Sequence, residues 1–191
     1  MKKKLLYIAA LIICMSIITG GTFAYFTYEE TTHNVITSKK VNINVLSMKL
    51  EDGSLKDDGN TAIPIMPATT VNKVVMAQSL ETPSWIRLKY ELNVFDSNGD
   101  KMTIPKAELD NIIIIEPDNT DWIEKDGWWY YKSVVQSGEI TTPLFDEIKF
   151  SGPGMGNEYQ KASVKLLLKG QAVQSANNGS SVMEAAGWPT E

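Results

Sequence analysis

The chain has 191 residues, with 18 Lys and Arg against 23 Asp and Glu, and a formal net charge of −5 at pH 7. An acidic chain of this kind does not suit nucleic acid or an anionic lipid surface, because phosphate contacts need clustered cations. The single cysteine, Cys14, lies in an apolar stretch near the N-terminus. The remainder of the chain therefore cannot form a disulfide, a thiolate zinc site or a cysteine nucleophile.

Residues 1–24 have the layout of a secretory signal peptide. Three lysines at positions 2–4 precede the uncharged and nearly all apolar run from Leu5 to Ile18, and small residues stand at positions −3 and −1 of a cleavage site between Ala24 and Tyr25. We expect cleavage there, export, and contact with the membrane only as a precursor. An uncleaved anchor is the alternative, since the apolar stretch reaches ~20 residues when it is counted through Phe26. The mature chain would carry 15 Lys and Arg against the same 23 acids, a net charge of −8.

Short strands separated by turns follow the leader. Around residues 41–50 the apolar alternation changes phase, which predicts a β-bulge near Val45-Leu46. The continuous β-branched run at 112–115 predicts a strand buried on both faces, after one helical turn at 106–111. The clearest strand spans residues 85–95, where one face carries Ile86, Leu88, Tyr90, Leu92 and Val94.

The second half of the chain continues this pattern. Residues 122–135 predict a hairpin closed at Asp126-Gly127, a dipeptide typical of two-residue β-turns. A short helix is expected at 181–186. The last long strand lies within residues 159–174, with one face formed by Ala162, Val164, Leu166, Leu168, Gly170 and Ala172. We expect one all-β domain over residues 25–191, a two-sheet antiparallel sandwich with a few short helical turns, preceded by the signal-peptide helix.

Catalytic chemistry has little support in the sequence. The single histidine, His33, lies in a polar run near the expected mature N-terminus, whereas a catalytic zinc site takes about three protein ligands, usually including histidine. We expect no enzyme, no catalytic residue, no metal-ligand set and no cofactor. The loop at 96–100 has oxygen ligands at alternating positions, as Ca²⁺ loops do. A plain turn is favoured, because Lys101 and Ala107 stand where an EF-hand needs glycine and a bidentate glutamate.

The densest aromatic cluster is a candidate surface. Strand alternation places Trp128 and Tyr130 on one face, and Trp129 and Tyr131 on the other. One face can serve the core, and the other must be covered by the same chain, by a second subunit or by a ligand such as a glycan. These three alternatives stay open at the level of sequence.

The residues after the cleavage site form a candidate assembly element. Residues 25–36 carry three aromatic side chains followed by Thr, Glu and Val, without a helix signal. Such an extended segment can add to a sheet edge of its own molecule or of a neighbour, and addition to a neighbour generates filaments because it does not close. An ordinary first strand or a frayed tail is the alternative. The candidate assembly residues are Tyr25, Phe26, Tyr28, Val35 and Ile36.

Residues 20–26 (GGTFAYF) resemble the signal and cleavage region of the TasA/camelysin family of exported Gram-positive proteins, which the signal peptidase SipW processes. Residues 67–75 (PATTVNKVV) and 85–88 (WIRL) are similar to that family's second and third strands. Three blocks resemble a clostridial-type SipW-cognate subgroup: 126–131 (DGWWYY), 143–145 (PLF), and the stretch from 157–160 (NEYQ) through 172–179 (AVQSANNG).

The resemblance implies a jelly-roll sandwich and a SipW-type signal peptidase as partner. For TasA-like members it implies biofilm-matrix fibres, built by donating an N-terminal strand that would begin here at Tyr25. Camelysin itself is classed as a metallopeptidase. We do not carry that activity over, because the chain has no zinc-binding motif and one histidine.

Three functional hypotheses follow. The first is a secreted structural subunit of cell-surface or biofilm-matrix fibres, which self-associates by N-terminal strand donation. The second is a monomeric surface-binding module, an adhesin that binds glycans through its aromatic cluster. The third is a camelysin-like surface metallopeptidase. All three place the protein outside the cell, secreted or at the cell surface, and none involves nucleic acid.

Overall fold

The computed structural model describes residues 27–31, 34–35, 41–59 and 61–190, with side chains from residue 41 onward. The expected signal-peptide helix and the cleavage site between Ala24 and Tyr25 lie outside the described residues. The strands are β1 (Thr27–Thr31), β2 (Asn34–Val35), β3 (Ile43–Glu51), β4 (Ser54–Asp57), β5 (Ile63–Pro64), β6 (Thr70–Ser79), β7 (Ser84–Phe95), β8 (Ile113–Ile114), β9 (Trp122–Lys125), β10 (Trp128–Tyr131), β11 (Phe145–Phe150) and β12 (Ser163–Gln174). One helix, α1 (Lys106–Ile112), and one 3-10 turn (Asn157–Tyr159) complete the described elements.

These strands form two antiparallel sheets. The first has the order β2-β1-β12-β7-β10-β9, and β5 pairs with the start of β12. The second has the order β4-β3-β6-β11-β8. The apolar faces of the two sheets meet in one core, so the predicted two-sheet sandwich is confirmed. No helix in the described part of the chain is long and apolar enough to cross a membrane.

The centre of the first sheet is the pair β7 and β12, which matches the two clearest strands of the sequence. Their register runs from Ser84↔Gln174 to Phe95↔Ser163 without interruption. Strand alternation turns one face of both strands toward the second sheet. The buried residues on that face include Ile86, Leu88, Val94, Val164, Leu166, Leu168 and Ala172.

The predicted bulge near Val45-Leu46 is wrong. β3 pairs with β6 in one continuous register from Ile43↔Ser79 to Met48↔Val74. The inward face of β3 continues from Val45 to Ser47, which is buried (8% exposed). The apolar pattern predicted a change of face here because serine is polar. The register shift lies instead in β11, between Phe145 and Glu147.

Two further expectations need correction, and one is confirmed. The helix α1 extends through Ile112, and the strand that follows it is a two-residue edge strand in which Ile114 is 37% exposed rather than buried on both faces. Residues 181–186 contain a single turn, at 182–184, instead of a short helix. The hairpin between β9 and β10 closes as predicted, with positive φ at Asp126 (55°) and Gly127 (79°).

At Gly170 the core leaves no room for a side chain. A Cβ at this position would overlap Val45 Cγ2 and would lie 3.2 Å from Ile43 Cδ1. We expect Gly170→Ala to lower the free energy of unfolding by about 1–3 kcal/mol, because the added methyl overpacks the core. Urea denaturation measures this. Leu167→Ala, on the half-exposed outer face of the same strand, is the control. A Gly170→Ala protein as stable as its parent would contradict the tight packing.

Tyr159 connects the 3-10 turn to α1. Its buried hydroxyl donates to Glu108 Oε1 at 2.5 Å, and burial together with this carboxylate raises the pKa of Tyr159 to about 12. Folding therefore favours the neutral phenol, so this contribution to stability is complete below about pH 10 and is lost as the pH rises through about 12. We expect Tyr159→Phe to be less stable at neutral pH and to lose less stability over that alkaline range. Urea titrations at several pH values check this, and identical pH slopes for the two proteins would contradict it.

Candidate functional site

The N-terminal strand β1 occupies the edge of β12. It runs antiparallel in the register Thr27↔Val173 to Thr31↔Lys169, and β2 pairs on its outer side. Among the candidate assembly residues, Tyr28 lies opposite Ala172 and Val35 lies opposite Glu30. The other candidates, Tyr25, Phe26 and Ile36, and also His33, lie outside the described residues.

Main-chain hydrogen bonding determines which strands the edge of β12 can bind. Residues 169–173 of β12 pair with β7 on one side and with β1 on the other. Without β1, that second side would present a row of main-chain donors and acceptors, which is a template for another strand. Main-chain hydrogen bonds are the same whichever copy supplies the strand, so the edge is able to accept β1 from its own chain or from a neighbour.

The two faces of the aromatic cluster are buried to different extents. Trp128 and Tyr130 are only 4% and 7% exposed, whereas Trp129 and Tyr131 are half-buried and pack against the main core from the other side of β10. The Tyr131 ring lies 5.0 Å from the Trp122 ring, centroid to centroid. Trp128 and Tyr130 therefore form no open platform for a ligand in this structure.

Arg87 organises the outer side of this cluster. Its guanidinium lies between two indoles, 4.2 Å from the centroid of Trp128 and 4.7 Å from that of Trp188. Its Nε donates to Gln171 Oε1 at 2.8 Å, and its Nη1 donates to the Tyr130 hydroxyl at 2.8 Å. Arg87 is 8% exposed, so neutral acceptors and aromatic faces replace the water around a buried cation.

Residues 175–189, which we call the C-terminal strap, form the cover over this face. Asn178 is buried and holds the strap together, since its side-chain amide donates to the carbonyls of Gln174 and Ala186 and its Oδ1 accepts from the Ala186 amide. The Trp85 indole donates to the Asn178 carbonyl. Near the end of the strap, Trp188 packs edge-on against Tyr130, with 5.5 Å between the ring centroids. The covering element is therefore part of the same chain.

Sequence reasoning missed the strap and the residues that bind it. Arg87 and Gln171 lie on the outer faces of β7 and β12, where alternation indicates solvent. One signal was present, because a tryptophan at position 188 in an otherwise small and polar tail favours a packed segment.

A family model described as camelysin metallo-endopeptidase matches residues 1–179. The chain belongs to this family. Membership in the camelysin family supports the prediction that the protein is secreted and acts at the cell surface or outside the cell. The matched region ends at Gly179, so most of the C-terminal strap lies beyond the match.

Other comparisons add little. The DraE adhesin in complex with chloramphenicol succinate is 14% identical, with 72% of this chain and 97% of that chain covered and a TM-score of 0.30. The AfaE-3 adhesin from Escherichia coli is 16% identical, with 73% and 98% covered and a TM-score of 0.28. Similarities at this level carry no argument. No match to a curated protein was found.

The camelysin description names a metallo-endopeptidase, which would need a set of side chains that bind a metal ion. In the part of the chain that the structure describes, no three His, Cys, Asp or Glu residues are placed to share an ion. The carboxylate of Asp96 in the acidic turn at 96–100 is hydrogen-bonded within the turn, because its Oδ1 accepts from the main-chain amides of Asn98 (2.8 Å) and Asp100 (2.9 Å). These amides hold the pKa of Asp96 below its usual value. The described residues do not fit a metal site.

Arg87→Ala tests the attachment of the strap. The substitution removes the hydrogen bonds to Gln171 and Tyr130 and leaves a void between two indoles, so we expect a loss of about 2–4 kcal/mol in unfolding free energy. Faster amide hydrogen exchange over residues 176–188 should accompany it. Lys125→Ala, an exposed position on β9 at the outer edge of the same sheet, should change neither quantity. An Arg87→Ala protein with unchanged exchange in the strap would show that Arg87 does not hold it.

Proposed function

We propose that the protein is a secreted structural subunit of cell-surface or biofilm-matrix fibres, in which the N-terminal strand of one copy pairs with the β12 edge of the next copy. The observation that carries this proposal is the position of β1. It is the first described strand, it is five residues long, and it adds to a sheet edge through its main chain.

Exchange of this strand between copies conserves the contacts. A donated strand reproduces in the neighbour the register that β1 has in its own chain, and each subunit vacates the edge that another donor fills. The donor and the acceptor are different surfaces, so the arrangement does not close on itself and propagates as a filament.

Removal of the leader controls this step. A strand that is attached to a leader in the membrane lacks the freedom to enter a neighbouring molecule. Cleavage between Ala24 and Tyr25 would release the donor strand, which makes processing by a SipW-type signal peptidase the event that permits assembly.

The second candidate function is a surface metallopeptidase, which the description of the family favours. It requires a metal-dependent cleavage of protein substrates by the mature chain. Casein cleavage that chelation abolishes would support the peptidase over the fibre subunit. Loss of that cleavage in His33→Ala would place the single histidine at the reacting centre.

A double proline substitution tests strand donation. Tyr28→Pro combined with Glu29→Pro removes two consecutive main-chain donors from β1, one of which faces β12 whichever way the strand alternates. We expect the mature protein to form fibres in negative-stain micrographs and the proline variant to remain monomeric.

The matched control is Tyr28→Ala combined with Glu29→Ala, which keeps the main-chain donors and should still form fibres. Far-UV circular dichroism and thermal unfolding establish that both variants are folded. Fibres formed by a folded proline variant would contradict assembly through β1.

A further inference from the structure

A cleft of about 690 Å³ opens beside β7. It is large enough for several side chains of a bound segment. The walls come from β7, the loop at 101–104, α1 and β8, and the apolar residues among them include Tyr90, Leu92, Ile104, Leu109, Ile113 and Ile114.

The cleft lies where strand pairing stops. β10 pairs with β7 only at Arg87 and Leu88, and the next main-chain bond on that side joins Met102 N to Val94 O at 2.8 Å. No described strand pairs with β7 between these two points on this side. Across the cleft, β8 is the outermost strand of the second sheet. Two strand edges therefore border one partly apolar opening.

The β3–β4 hairpin lies at the opposite end of the second sheet, because β4 is the other outermost strand. All four residues of β4 are exposed. Leu50 and Leu55 face each other across the hairpin and are 50% and 46% exposed. An exposed leucine pair on an edge hairpin is unusual for a surface that faces only water.

We propose that the β3–β4 hairpin of one copy docks into the cleft of a second copy, with β4 placed beside β8. The two surfaces are opposite edges of the same sheet, so each contact continues the sheet from one molecule into the next and leaves a free edge at each end. This contact joins folded domains and does not use β1, so it goes beyond strand donation and can be tested separately.

One pair of opposite charges is available across the two surfaces. Asp52 lies at the tip of the hairpin in a two-residue turn, with positive φ at Asp52 (53°) and Gly53 (74°). Lys101 lines the cleft, together with Glu91 and the Lys106–Asp110 ion pair. Within the described residues, neither Asp52 nor Lys101 forms an ion pair. The edge lysine of β4, Lys56, is neutralised by Glu51 of the same hairpin at 3.0 Å. Docking thus pairs the hairpin tip with the cleft.

Site-specific crosslinking tests the contact directly, because residues 25–191 contain no cysteine. We would mix mature Leu55→Cys protein with mature Ile114→Cys protein and treat the mixture with a short bis-maleimide. The expected result is a mixed dimer. Leu55→Cys mixed with Leu167→Cys is the control, since Leu167 is equally exposed but lies on the outer face of β12. A yield no higher than that control would overturn the proposal.

A charge exchange between the two partners tests the orientation. Asp52→Lys in the Leu55→Cys partner alone, or Lys101→Glu in the Ile114→Cys partner alone, should lower the crosslinking yield about two- to fivefold. Both changes together should restore it, because the attraction is re-formed with opposite signs. A yield that neither single change lowers would overturn the pairing of the hairpin tip with Lys101.

Discussion

The antiparallel pairing of β7 with β12 is the interaction on which the rest of the structure depends. Its unbroken register assigns every residue of both strands to a face, since side chains alternate with a period of two. One face supplies the core between the sheets, and the other places Arg87 beside Gln171 under the C-terminal strap. A slip of one residue would exchange these faces and move the guanidinium into the apolar interior.

Two buried cations in this sandwich are stabilised in different ways. Arg87 relies on neutral oxygens and aromatic rings, whereas Lys73, which is 1% exposed, contacts the carboxylate of Asp58. A buried charge without a partner costs several kcal/mol, so a conformational change that separated either cation from its partners would be strongly destabilising. The Lys73 contact ties the segment that follows β4 to the start of β6, and it therefore positions the base of the hairpin that carries Leu55.

The two proposed contacts between copies differ in their physical basis. Strand exchange depends on main-chain hydrogen bonds, which depend little on the side chains of the donor. Hairpin docking depends on an apolar cleft and one complementary charge pair, which together define how one folded domain is oriented relative to the next. Together they would combine a strong connection between subunits with a defined orientation of the folded domains. Hairpin docking uses two free sheet edges, which monomeric proteins normally protect, whereas strand exchange uses the β12 edge that β1 occupies in this structure.

Local pattern was sufficient for much of this fold. Alternation at residues 86–94 and 162–172 predicted the two central strands and their buried face, and Asp126-Gly127 predicted its hairpin. The bulge at Val45-Leu46 was wrong because Ser47 continues the inward face although serine is polar. The strand expected around Ile113 was too long, because α1 extends to Ile112 and β8 lies at an edge.

The sequence by itself determined the all-β class, the alternation within each strand and the layout of an exported precursor, because these depend on neighbouring residues. Only the tertiary structure decided that the strap covers Trp128 and Tyr130, and that β4 and β8 remain free edges. These features depend on which distant segments meet. Arg87, Trp128, Gln171 and Trp188 are far apart in the chain, and only the pairing of their strands and the return of the strap bring them together.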